Sequence, residues 1–492
     1  MIGRHQIVIS GQELASKGMS SGQDISDGAF SPETEAVNFL AQPGVIYAPA
    51  AEANADIGGE LAGVGEIIAT SPDHNVFAGD PRLLVSAKGN GDGSFHRYDG
   101  TSITAASPYA TDTTNNYGKF FTDIINYAGE TYVTAKELVK RWTSTGTLAD
   151  LTGGAFTNTT YPHPAIVAFN NAYYGDGNLL LRQTAANGAL ATILTLSANE
   201  IIIALGIDPG TGKILISTSS SLNVNNTLPA IYRIHWYDGS SSQPSKTIQV
   251  EGMITAIHSH SGVIFVGYDG NNVGYLNGSG INFLRKLINA SNTDVDQIIT
   301  KHSFCSMGRT LCVIDGAKVL AYGPIITGGN PIWYYIAANK FSSPNKFLCI
   351  FNAGSNKLGL SAATEKFYTT DITSKATIDN LDLYSDWYYF QRPVFIRNMY
   401  VQFAEAENTA NWAFTYFDGS SAAAINTLAR MEGAITPVLE ADYYVNFADN
   451  ADTAGNTGEG HQALRAFKLR GVNGTANKGI KQIIVYYDSA EN

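Results

Sequence analysis

Cysteine is scarce in this chain. The three cysteines are Cys305, Cys312 and Cys349, and none of them forms a C-x-x-C pair. This odd number and spacing favour neither a disulfide framework nor a zinc site. Cys305 and Cys312 fall on the two strands of one predicted hairpin, so we expect them to face each other as buried free thiols. The pattern predicts folding in a reducing cytoplasm.

Charge is also sparse. Only 15% of the residues are Asp, Glu, Lys or Arg, compared with about 25% in average proteins. The net charge of −12 is spread along the chain, and no basic stripe is interleaved with aromatics. These features argue against direct binding of DNA or RNA, although an acidic wall along which DNA slides is compatible with them. Low charge is typical of surfaces that are buried in an assembly.

Long apolar runs are missing. The longest aliphatic run is Ile201–Leu205, far short of the roughly 20 residues that span a bilayer. Near the N-terminus, Ile7–Ile9 is the only apolar cluster before a Ser/Gly-rich stretch. We therefore expect no membrane insertion and no signal peptide.

What the chain has instead is a repeated hairpin. An apolar strand leads into a tight polar turn and a second apolar strand, often followed by Asp-Gly and a third. One copy runs through Ile254–Ser259, Val263–Tyr268, Asp269-Gly270 and Val273–Leu276. Gly, Asn and Asp occupy the turns because they tolerate the positive φ that tight hairpins require.

Seven such turns follow one another at a regular spacing. From Gly91 to Gly354 there are 263 residues in six steps, about 44 per step, the period of a four-stranded blade. The sequence therefore predicts an all-β protein with a β-propeller of about seven blades, and Glu66–Ala69 starts or completes a further unit. Ala135–Trp142 is open to a helical or a strand interpretation. The turns are Gly91, Gly129, Asn171, Gly210, Gly262, Gly308 and Gly354, and the predicted fourth strands are Thr192–Leu196, Thr247–Val250, Phe283–Leu287 and Trp333–Ile336.

The pattern divides the chain into three regions. Residues 1–55 are a Gly/Ser/Ala-rich extended arm, and residues 56–390 carry the propeller repeats. After Arg392-Pro393 the repeat gives way to longer alternating strands, which predict a β-sandwich over 391–492.

Two motifs have some of the features of metal sites. His258 and His260 alternate on a strand and so share one face, which suits a pair of metal ligands. A third ligand is missing nearby, and we favour a turn or surface role. Asn90-Gly91-Asp92-Gly93 resembles a fragment of a calcium loop but lacks its further acidic ligands, so a plain turn is favoured.

Two further motifs have some of the features of a phosphate loop or of catalytic acids. Asp208–Lys213 (Asp-Pro-Gly-Thr-Gly-Lys) lacks the spacing and the following helix of a phosphate loop, so it is interpreted as a hairpin turn. The recurrent Asp-Gly pairs are interpreted as turns rather than as catalytic acids. The sequence thus predicts no catalytic, cofactor or metal residues, and a protein that is not an enzyme.

The arm and the repeats resemble a known family group. The residues that carry the likeness are Ile25–Gly28, Glu35–Asn38, Gln42–Gly44, Tyr98–Gly100 and Trp236–Gly239. With a propeller and a small β-domain after them, they look like the propeller-type nozzle, hub and tail-tip proteins of tailed-bacteriophage virions.

This resemblance implies a non-enzymatic part of the tail that forms the wall or tip of the DNA-ejection conduit. Its implied partners are copies of itself in a symmetric ring, an adaptor or tail-tube ring that receives the arm, and tail fibres. The implied location is the virion tail, after folding in the host cytoplasm.

Two other classes of function remain open from the sequence. Exposed aromatic residues could stack on sugars in a carbohydrate-binding or receptor-binding propeller, although aromatics at strand positions are more often core. A glycan hydrolase would need paired carboxylates about 5 to 10 Å apart across one channel, and no sequence pattern supports it. The tryptophans considered for sugar stacking are Trp236, Trp333, Trp387 and Trp412.

Overall fold

The computed structural model describes residues 5–10, 53–55, 66–72, 82–87, 91–98, 110–143, 147–222, 230–287, 298–324, 330–338, 346–354, 356–362, 366–371, 382–385, 387–404, 412–417, 426–428, 442–446, 464–473 and 479–489. Regular structure in these residues consists of β-strands and one short 3-10 turn, Lys301–Ser303. The all-β prediction is therefore confirmed.

The first 18 strands include the N-terminal strands and the strands of four successive repeats. They are β1 His5–Ser10, β2 Ala53–Ala55, β3 Glu66–Pro72, β4 Arg82–Ala87, β5 Gly93–Tyr98, β6 Ala110–Asp112, β7 Ile124–Tyr127, β8 Glu130–Thr134, β9 Leu138–Trp142, β10 Leu148–Ala155, β11 Ala165–Ala168, β12 Asn171–Asp176, β13 Leu179–Gln183, β14 Ala191–Thr195, β15 Ile201–Ile207, β16 Ile214–Ser219, β17 Tyr232–Tyr237 and β18 Lys246–Val250.

The second 18 strands complete the repeats and form the C-terminal region. They are β19 Ile254–His260, β20 Val263–Tyr268, β21 Asn272–Leu276, β22 Ile281–Lys286, β23 Phe304–Met307, β24 Thr310–Asp315, β25 Lys318–Gly323, β26 Ile332–Ala338, β27 Phe347–Asn352, β28 Lys357–Ala362, β29 Lys366–Asp371, β30 Asp382–Tyr384, β31 Tyr388–Phe403, β32 Trp412–Phe417, β33 Asn426–Leu428, β34 Asp442–Asn446, β35 Leu464–Asn473 and β36 Ile480–Ser489.

Most of the described strands belong to four-stranded sheets, and all but one of these sheets have their strands in consecutive order. Among the described residues these sheets are β3–β6, β7–β10, β11–β14, β15–β18, β19–β22, β23–β26, and β27–β29 with β2 added outside β29. The last sheet thus takes its outermost strand from the N-terminal part of the chain. The sequence pattern did not indicate this role for residues 53–55, because three residues are too short to show alternation.

The chain divides into two compact units. One comprises residues 1–53, 318–340 and 370–492, and the other comprises residues 54–317 and 341–369.

In the second unit the first strand of each sheet contacts the first strand of the next. The contacts run from β3 through β7, β11, β15 and β19 to the 3-10 turn before β23, then to β27 and back to β3. A hydrogen bond closes this circle, because the hydroxyl of Ser361 donates to the carbonyl oxygen of Ile67 at 2.8 Å. A closed circle of four-stranded sheets around their first strands is a β-propeller.

The hydrophobic core lies between neighbouring sheets rather than at one centre. One cluster joins β3–β5 to β7–β9 and includes Leu83, Phe95, Val133 and Trp142. Equivalent clusters join β7–β9 to β11–β13, β11–β14 to β15–β17, and β15–β17 to β19–β21. The sheets β7–β10, β11–β14 and β15–β18 are therefore packed on both faces by neighbouring sheets, as stacked blades require.

Glycine lets neighbouring sheets approach closely. A Cβ added to Gly175 would lie 2.8 Å from Cγ2 of Ile202 on the first strand of the next sheet. The same addition at Gly206 would collide with Ile257, and at Gly267 with Ile299. At these positions the glycine is required by the space between sheets, and not by its φ angle.

The turns agree with the predicted backbone geometry. Gly91, Gly129, Gly262, Gly308 and Gly354 all have positive φ. At the other two predicted turns the positive φ falls on neighbours, Asn170 beside Asn171 and Gly212 beside Gly210.

Most of the predicted strands also correspond to strands in the structure. The four predicted fourth strands correspond to β14, β18, β22 and β26, and Glu66–Ala69 opens β3, the first strand of a sheet. The helical alternative for Ala135–Trp142 is wrong, since Leu138–Trp142 forms β9 between β8 and β10. Its residues are all buried or half-buried, which suits a strand with a neighbouring sheet on each face.

In the other unit the C-terminal strands form one connected eight-stranded sheet. Its order is β1-β36-β31-β35-β32-β33, with β30 also paired to β35 and β34 to β31. The predicted boundary at residue 391 falls inside β31, and the predicted arm contributes β1, in which Ile7 lies opposite Val485. The pairing of β31 with β35 breaks between Tyr389 and Val394, where Pro393 cannot donate a ladder hydrogen bond. The arrangement of this eight-stranded sheet as a β-sandwich stays a prediction.

Candidate functional site

A pocket opens where five successive first strands begin. It encloses about 400 Å³, including open solvent at its mouth. Its walls come from the segment before β7, the residue before β11, β15, β19 and the 3-10 turn before β23. We call it the inner pocket; it is lined by Lys119, Phe120, Phe121, Thr122, Asp123, Pro164, Ile203, Ala204, Leu205, Thr255, Thr300, Lys301 and His302.

The carboxylate of Asp123 organises the floor of the inner pocket. One oxygen, Oδ2, accepts a hydrogen bond from the backbone N–H of Ala165 at 2.8 Å. The other, Oδ1, accepts from the N–H of Ile124 at 2.7 Å and lies 3.1 Å from Nε2 of His302. Asp123 thereby joins the starts of three sheets that are far apart in sequence.

Lys301 and His302 are presented by the 3-10 turn. This turn is closed by the N–H of Ser303, which donates to the carbonyl oxygen of Thr300 at 2.9 Å. The ammonium of Lys301 lies 2.5 Å from Oδ1 of Asp123 and donates to the carbonyl oxygen of Ala165 at 2.9 Å. The lysine side chain keeps 28% of its surface exposed, whereas the carboxylate is buried.

Burial and neighbouring charges act in opposite directions on the pKa values of Asp123 and His302 at the floor of the inner pocket. Burial alone would raise the pKa of Asp123, but the ammonium of Lys301 and the hydrogen bond with His302 outweigh it and hold that pKa below its usual value. Burial lowers the pKa of His302, and its bond with Asp123 only partly opposes this. Asp123 is therefore ionised and His302 neutral at pH 7.

The upper walls of the inner pocket are mostly apolar. Phe120, Phe121, Pro164, Ile203 and Leu205 contribute apolar side chains to it. The hydroxyl of Thr255 donates to the carbonyl oxygen of Ile299 at 2.6 Å, so it links β19 to the segment before β23. The pocket thus combines an apolar wall with a charged floor, the usual composition of a small-molecule site.

The histidine pair weighed as a metal site converges on a serine. Nε2 of His258 and Nδ1 of His260 lie 2.8 and 2.9 Å from the hydroxyl oxygen of Ser306. Both rings therefore share one face, as alternation predicts. Burial, with His260 nearby, lowers the pKa of His258 to about 4. In the described part of the chain, no group of three or more His, Cys, Asp or Glu side chains is placed to hold a metal ion.

The Asp-Gly carboxylates hold backbone N–H groups. Asp176 accepts from the N–H of Thr157 and of Asn158 at 2.8 and 2.9 Å, and Asp269 accepts from Met253 at 2.9 Å. Each bond fixes the connection that enters the same sheet. Asp238 instead accepts from Ser240 and Ser241 within its own turn.

The loop Asp208–Lys213 forms a hairpin turn between β15 and β16. Asp208 accepts from the N–H of Gly210 at 2.9 Å and from the indole N–H of Trp236 at 3.0 Å. In the turn Asn90–Gly93, between β4 and β5, the N–H of Tyr117 donates to the carbonyl oxygen of Gly91 at 2.8 Å, and the Tyr117 ring covers Gly93. Asn90 itself lies outside the described residues.

The tryptophans differ in exposure. Trp236 and Trp333 are buried, and Lys246 lies 4.6 Å above the ring of Trp236. Trp387 is half-buried beside Tyr389, which is 60% exposed, with ring centroids 6.2 Å apart. The side chain of Trp412 lies outside the described residues.

The three cysteines are buried free thiols. Cys305 lies directly opposite Cys312 in the β23–β24 pairing, as the sequence predicted. Burial raises the pKa of the Cys312 thiol well above its usual value, so it is a poor nucleophile.

The sequence did not single out Asp123, Lys301 or His302. Asp123 and His302 are 179 positions apart, and no local motif connects them. Their position in the sequence could have indicated them, because they are isolated charges just before the first strand of a repeat in a chain with few charges.

Comparisons with known proteins address only the fold. No protein-family model matches the chain, and no curated protein matches it. Solved structures that resemble it include Raptor of Chaetomium thermophilum (TM-score 0.43, 10% identity, 65% of this chain and 29% of that one). Another is a chain from "YCF48 bound to D1 peptide", with a TM-score of 0.42 and 10% identity, over 65% of this chain and 98% of that one. A third is a chain from a mitotic checkpoint complex, with a TM-score of 0.42 and 10% identity, over 67% of this chain and 96% of that one. The chain thus spans under a third of the Raptor chain.

The described residues contain no helix that is long and apolar enough to span a membrane.

Proposed function

We propose that this protein is a structural component of a bacteriophage tail. In this proposal it is a nozzle, hub or tail-tip protein that forms part of the DNA-ejection conduit or of the host-facing tip, and it catalyses no reaction. Its propeller has seven blades, and its C-terminal strands form a β-sandwich. It is located in the virion after folding in the host cytoplasm.

The observation that supports this role most is the use of the polar side chains in the blades. The carboxylates of Asp176 and Asp269 hold the connections between sheets, and His258 and His260 share their bonds with Ser306. The carboxylates and imidazoles in the blades thus hold the backbone and neighbouring side chains in place. This is the use expected in a rigid scaffold, and it agrees with the resemblance of the arm and repeats to tail proteins.

The proposed partners follow from the same resemblance and from the low charge. Copies of this chain form a symmetric ring, the N-terminal arm binds a preceding adaptor or tail-tube ring, and the C-terminal region contacts fibres or the host surface. Only 15% of the residues in the sequence are charged, and a low content of charge suits surfaces that are buried between subunits. Neither sequence-specific DNA binding nor membrane insertion is part of the proposal.

Immunolabelling of phage particles tests this assignment. Antibodies raised against the purified chain are applied to particles produced by cells that carry its gene, and electron microscopy locates the label. We expect the label at one end of the tail. Label confined to the capsid, or a chain that is missing from purified particles by mass spectrometry, would refute the assignment.

A second candidate function is recognition of a host glycan by the C-terminal sheet. The supporting observation is the exposed ring of Tyr389 beside Trp387, whose planes are inclined by 32°. Adjacent aromatic rings at a surface offer stacking faces for sugar rings. Glycan-array binding that is lost in Tyr389→Ala but kept in Trp236→Phe, a buried propeller position, would favour this candidate.

A further inference from the structure

We propose that a site between two blades binds an acidic sugar, of the class of the hexuronic acids. The site lies between the sheet β11–β14 and the sheet β15–β18, and we call it the interblade site. The proposal does not rest on the tail assignment, and the site is separate from the aromatic pair of the C-terminal sheet. The residues of the interblade site are Phe169, Asn171, Tyr173, Arg182 and Gly239.

The first observation is an exposed phenylalanine at a turn that does not need one. Phe169 and Asn170 form the two-residue turn between β11 and β12, and Phe169 has a φ of 48°. The turns between β7 and β8 and between β19 and β20 have Ala128 and Ser261 at this position, with φ of 49° and 50°. Positive φ is unfavourable for a bulky residue, and Phe169 is 47% exposed. The turn therefore does not account for the aromatic ring, whereas contact with a ligand does.

The second observation is that this ring meets a buried hydroxyl. A Cβ added to Gly239, in the loop after β17, would lie 2.6 Å from Cδ2 of Phe169 and 3.0 Å from the hydroxyl oxygen of Tyr173. Asn171 and Arg182 lie beside this hydroxyl and oppose the effect of burial, which raises its pKa. Among the described residues, however, no group forms a hydrogen bond of normal length and angle with it. Buried hydroxyls nearly always have such a partner, so this one indicates a place for a polar group of a ligand.

The third observation is an arginine without an acidic partner. Arg182 lies directly opposite Tyr173 in the β12–β13 pairing, so the two side chains share one face. It is half-buried, and no carboxylate of the described residues forms an ion pair with it. The carboxylate of Asp238, in the loop after β17, instead accepts from Ser240 and Ser241. A guanidinium presents paired N–H donors that match a carboxylate, so a carboxylate is the group that complements Arg182.

The surroundings of the arginine favour a sugar over other carboxylates. A sugar ring has an apolar C–H face that stacks on an aromatic ring, and hydroxyls around its edge. A hexuronic acid therefore has one group for each feature of the site, whereas phosphate or a simple organic acid would use Arg182 alone. The hydroxyl and amide groups in the two turns that meet at the site belong to Asn170, Asn171, Ser240 and Ser241.

Binding of simple glycosides to the purified full chain tests the proposal. The probes are methyl glucuronide and methyl glucoside, in which a hydroxymethyl group replaces the carboxylate. Ligand-observed NMR titration at pH 7 gives the two affinities. We expect the glucuronide to bind at least about tenfold tighter, since a hydrogen bond to a charged group contributes this much. Equal affinities, or no saturable binding of either glycoside, would overturn the proposal.

Substitution of the exposed ring tests its part in the site. Phe169→Ser gives the turn the residue type that Ser261 provides between β19 and β20, so we expect the variant to fold. Its affinity for the glucuronide should fall by about fivefold, the contribution of a stacked aromatic ring. The control is Phe283→Ser, at another exposed phenylalanine, which should bind as the unsubstituted chain does. Unchanged affinity in Phe169→Ser would contradict the assigned site.

Substitution of the arginine tests the recognition of the carboxylate. Arg182→Gln should bind the glucuronide no better than the glucoside. Arg309→Gln, in the exposed turn between β23 and β24, should keep the difference between the two sugars. A folded Arg182→Gln protein that still prefers the glucuronide would refute the proposal. If Arg182→Gln does not fold, the comparison of the two glycosides and the Phe169→Ser variant decide.

A last variant separates the interblade site from sugar recognition by the C-terminal sheet. Tyr389→Ala should leave the affinity for the glucuronide unchanged. Loss of binding in Tyr389→Ala, with normal binding in Phe169→Ser, would place the sugar on the C-terminal sheet and overturn the proposal. All of these measurements use the purified chain, so their outcome is independent of whether the chain is found in a phage tail.

Discussion

Asp123 connects three parts of the propeller through one carboxylate. Its two oxygens accept from Ala165 and Ile124 and face His302 and Lys301. A buried charge with several partners contributes to stability mainly because removing one partner leaves the others unsatisfied. At the residue scale, this carboxylate is the side chain whose loss should matter most.

Asp123→Asn should reduce the free energy of unfolding by about 3 to 5 kcal/mol, because it leaves the Lys301 ammonium without its counterion in a largely buried site. Urea denaturation measures the change. The matched control is Asp150→Asn, whose carboxylate is 63% exposed and whose partner Lys140 also pairs with Asp112. An exposed pair of this kind should contribute no more than about 1 kcal/mol. Similar losses in the two variants would contradict the role of Asp123.

Buried histidines should make stability depend on pH. Burial lowers the pKa of His96 to about 4, and burial with His260 nearby does the same to His258. Between pH 6.5 and 4 the unfolded chain binds protons at these rings and the folded chain does not. The free energy of unfolding therefore falls as pH falls through this window, by about 1.4 kcal/mol per pH unit for each ring.

His96→Leu isolates one of these contributions. Its ring is fully buried and neither ring nitrogen has a hydrogen-bond partner among the described residues. Urea denaturation from pH 7 to 4.5 should show a pH slope that is smaller by about one proton in the variant. A variant with the wild-type slope would show that His96 is protonated equally in both states.

At the scale of elements, the sequence predicted strands and turns better than contacts. Alternating apolar residues and positive-φ turn residues are local signals, and they located β14, β18, β22 and β26 together with turns such as Gly262. The floor of the inner pocket depends on a bond between Asp123 and His302, 179 positions apart. Such a contact is set by ring closure, which leaves no local pattern in a single sequence.

The spacing between sheets gives a prediction at the same scale. Gly267→Ala places a methyl group against Ile299, which lies in the segment before β23, and should destabilise the protein by about 1 to 3 kcal/mol through overpacking. Thermal or urea unfolding measures it. Gly280→Ala is the control, since a Cβ there meets nothing within 4 Å. If both substitutions are equally tolerated, neighbouring sheets are not held as closely as described.

At the scale of the whole molecule, the sequence repeat determines the fold, and the low content of charged residues is the basis of the proposed role in an assembly. The closed circle of four-stranded sheets follows from a repeat of about 44 residues. The addition of Ala53–Ala55 to the last sheet and the passage of β31 across the predicted boundary at residue 391 were not visible in that repeat. Both concern pairings between segments far apart in the chain. The low charge favours assembly with other subunits, which is the central claim of the proposed tail role.

Mass photometry of the purified chain, with electron microscopy of the same sample, tests that claim most directly. We predict a closed ring whose mass is an integer multiple of the 52.6 kDa chain, with the same rotational symmetry in the images. A protein that stays a 52.6 kDa monomer at every concentration and cleaves polysaccharide would contradict the account.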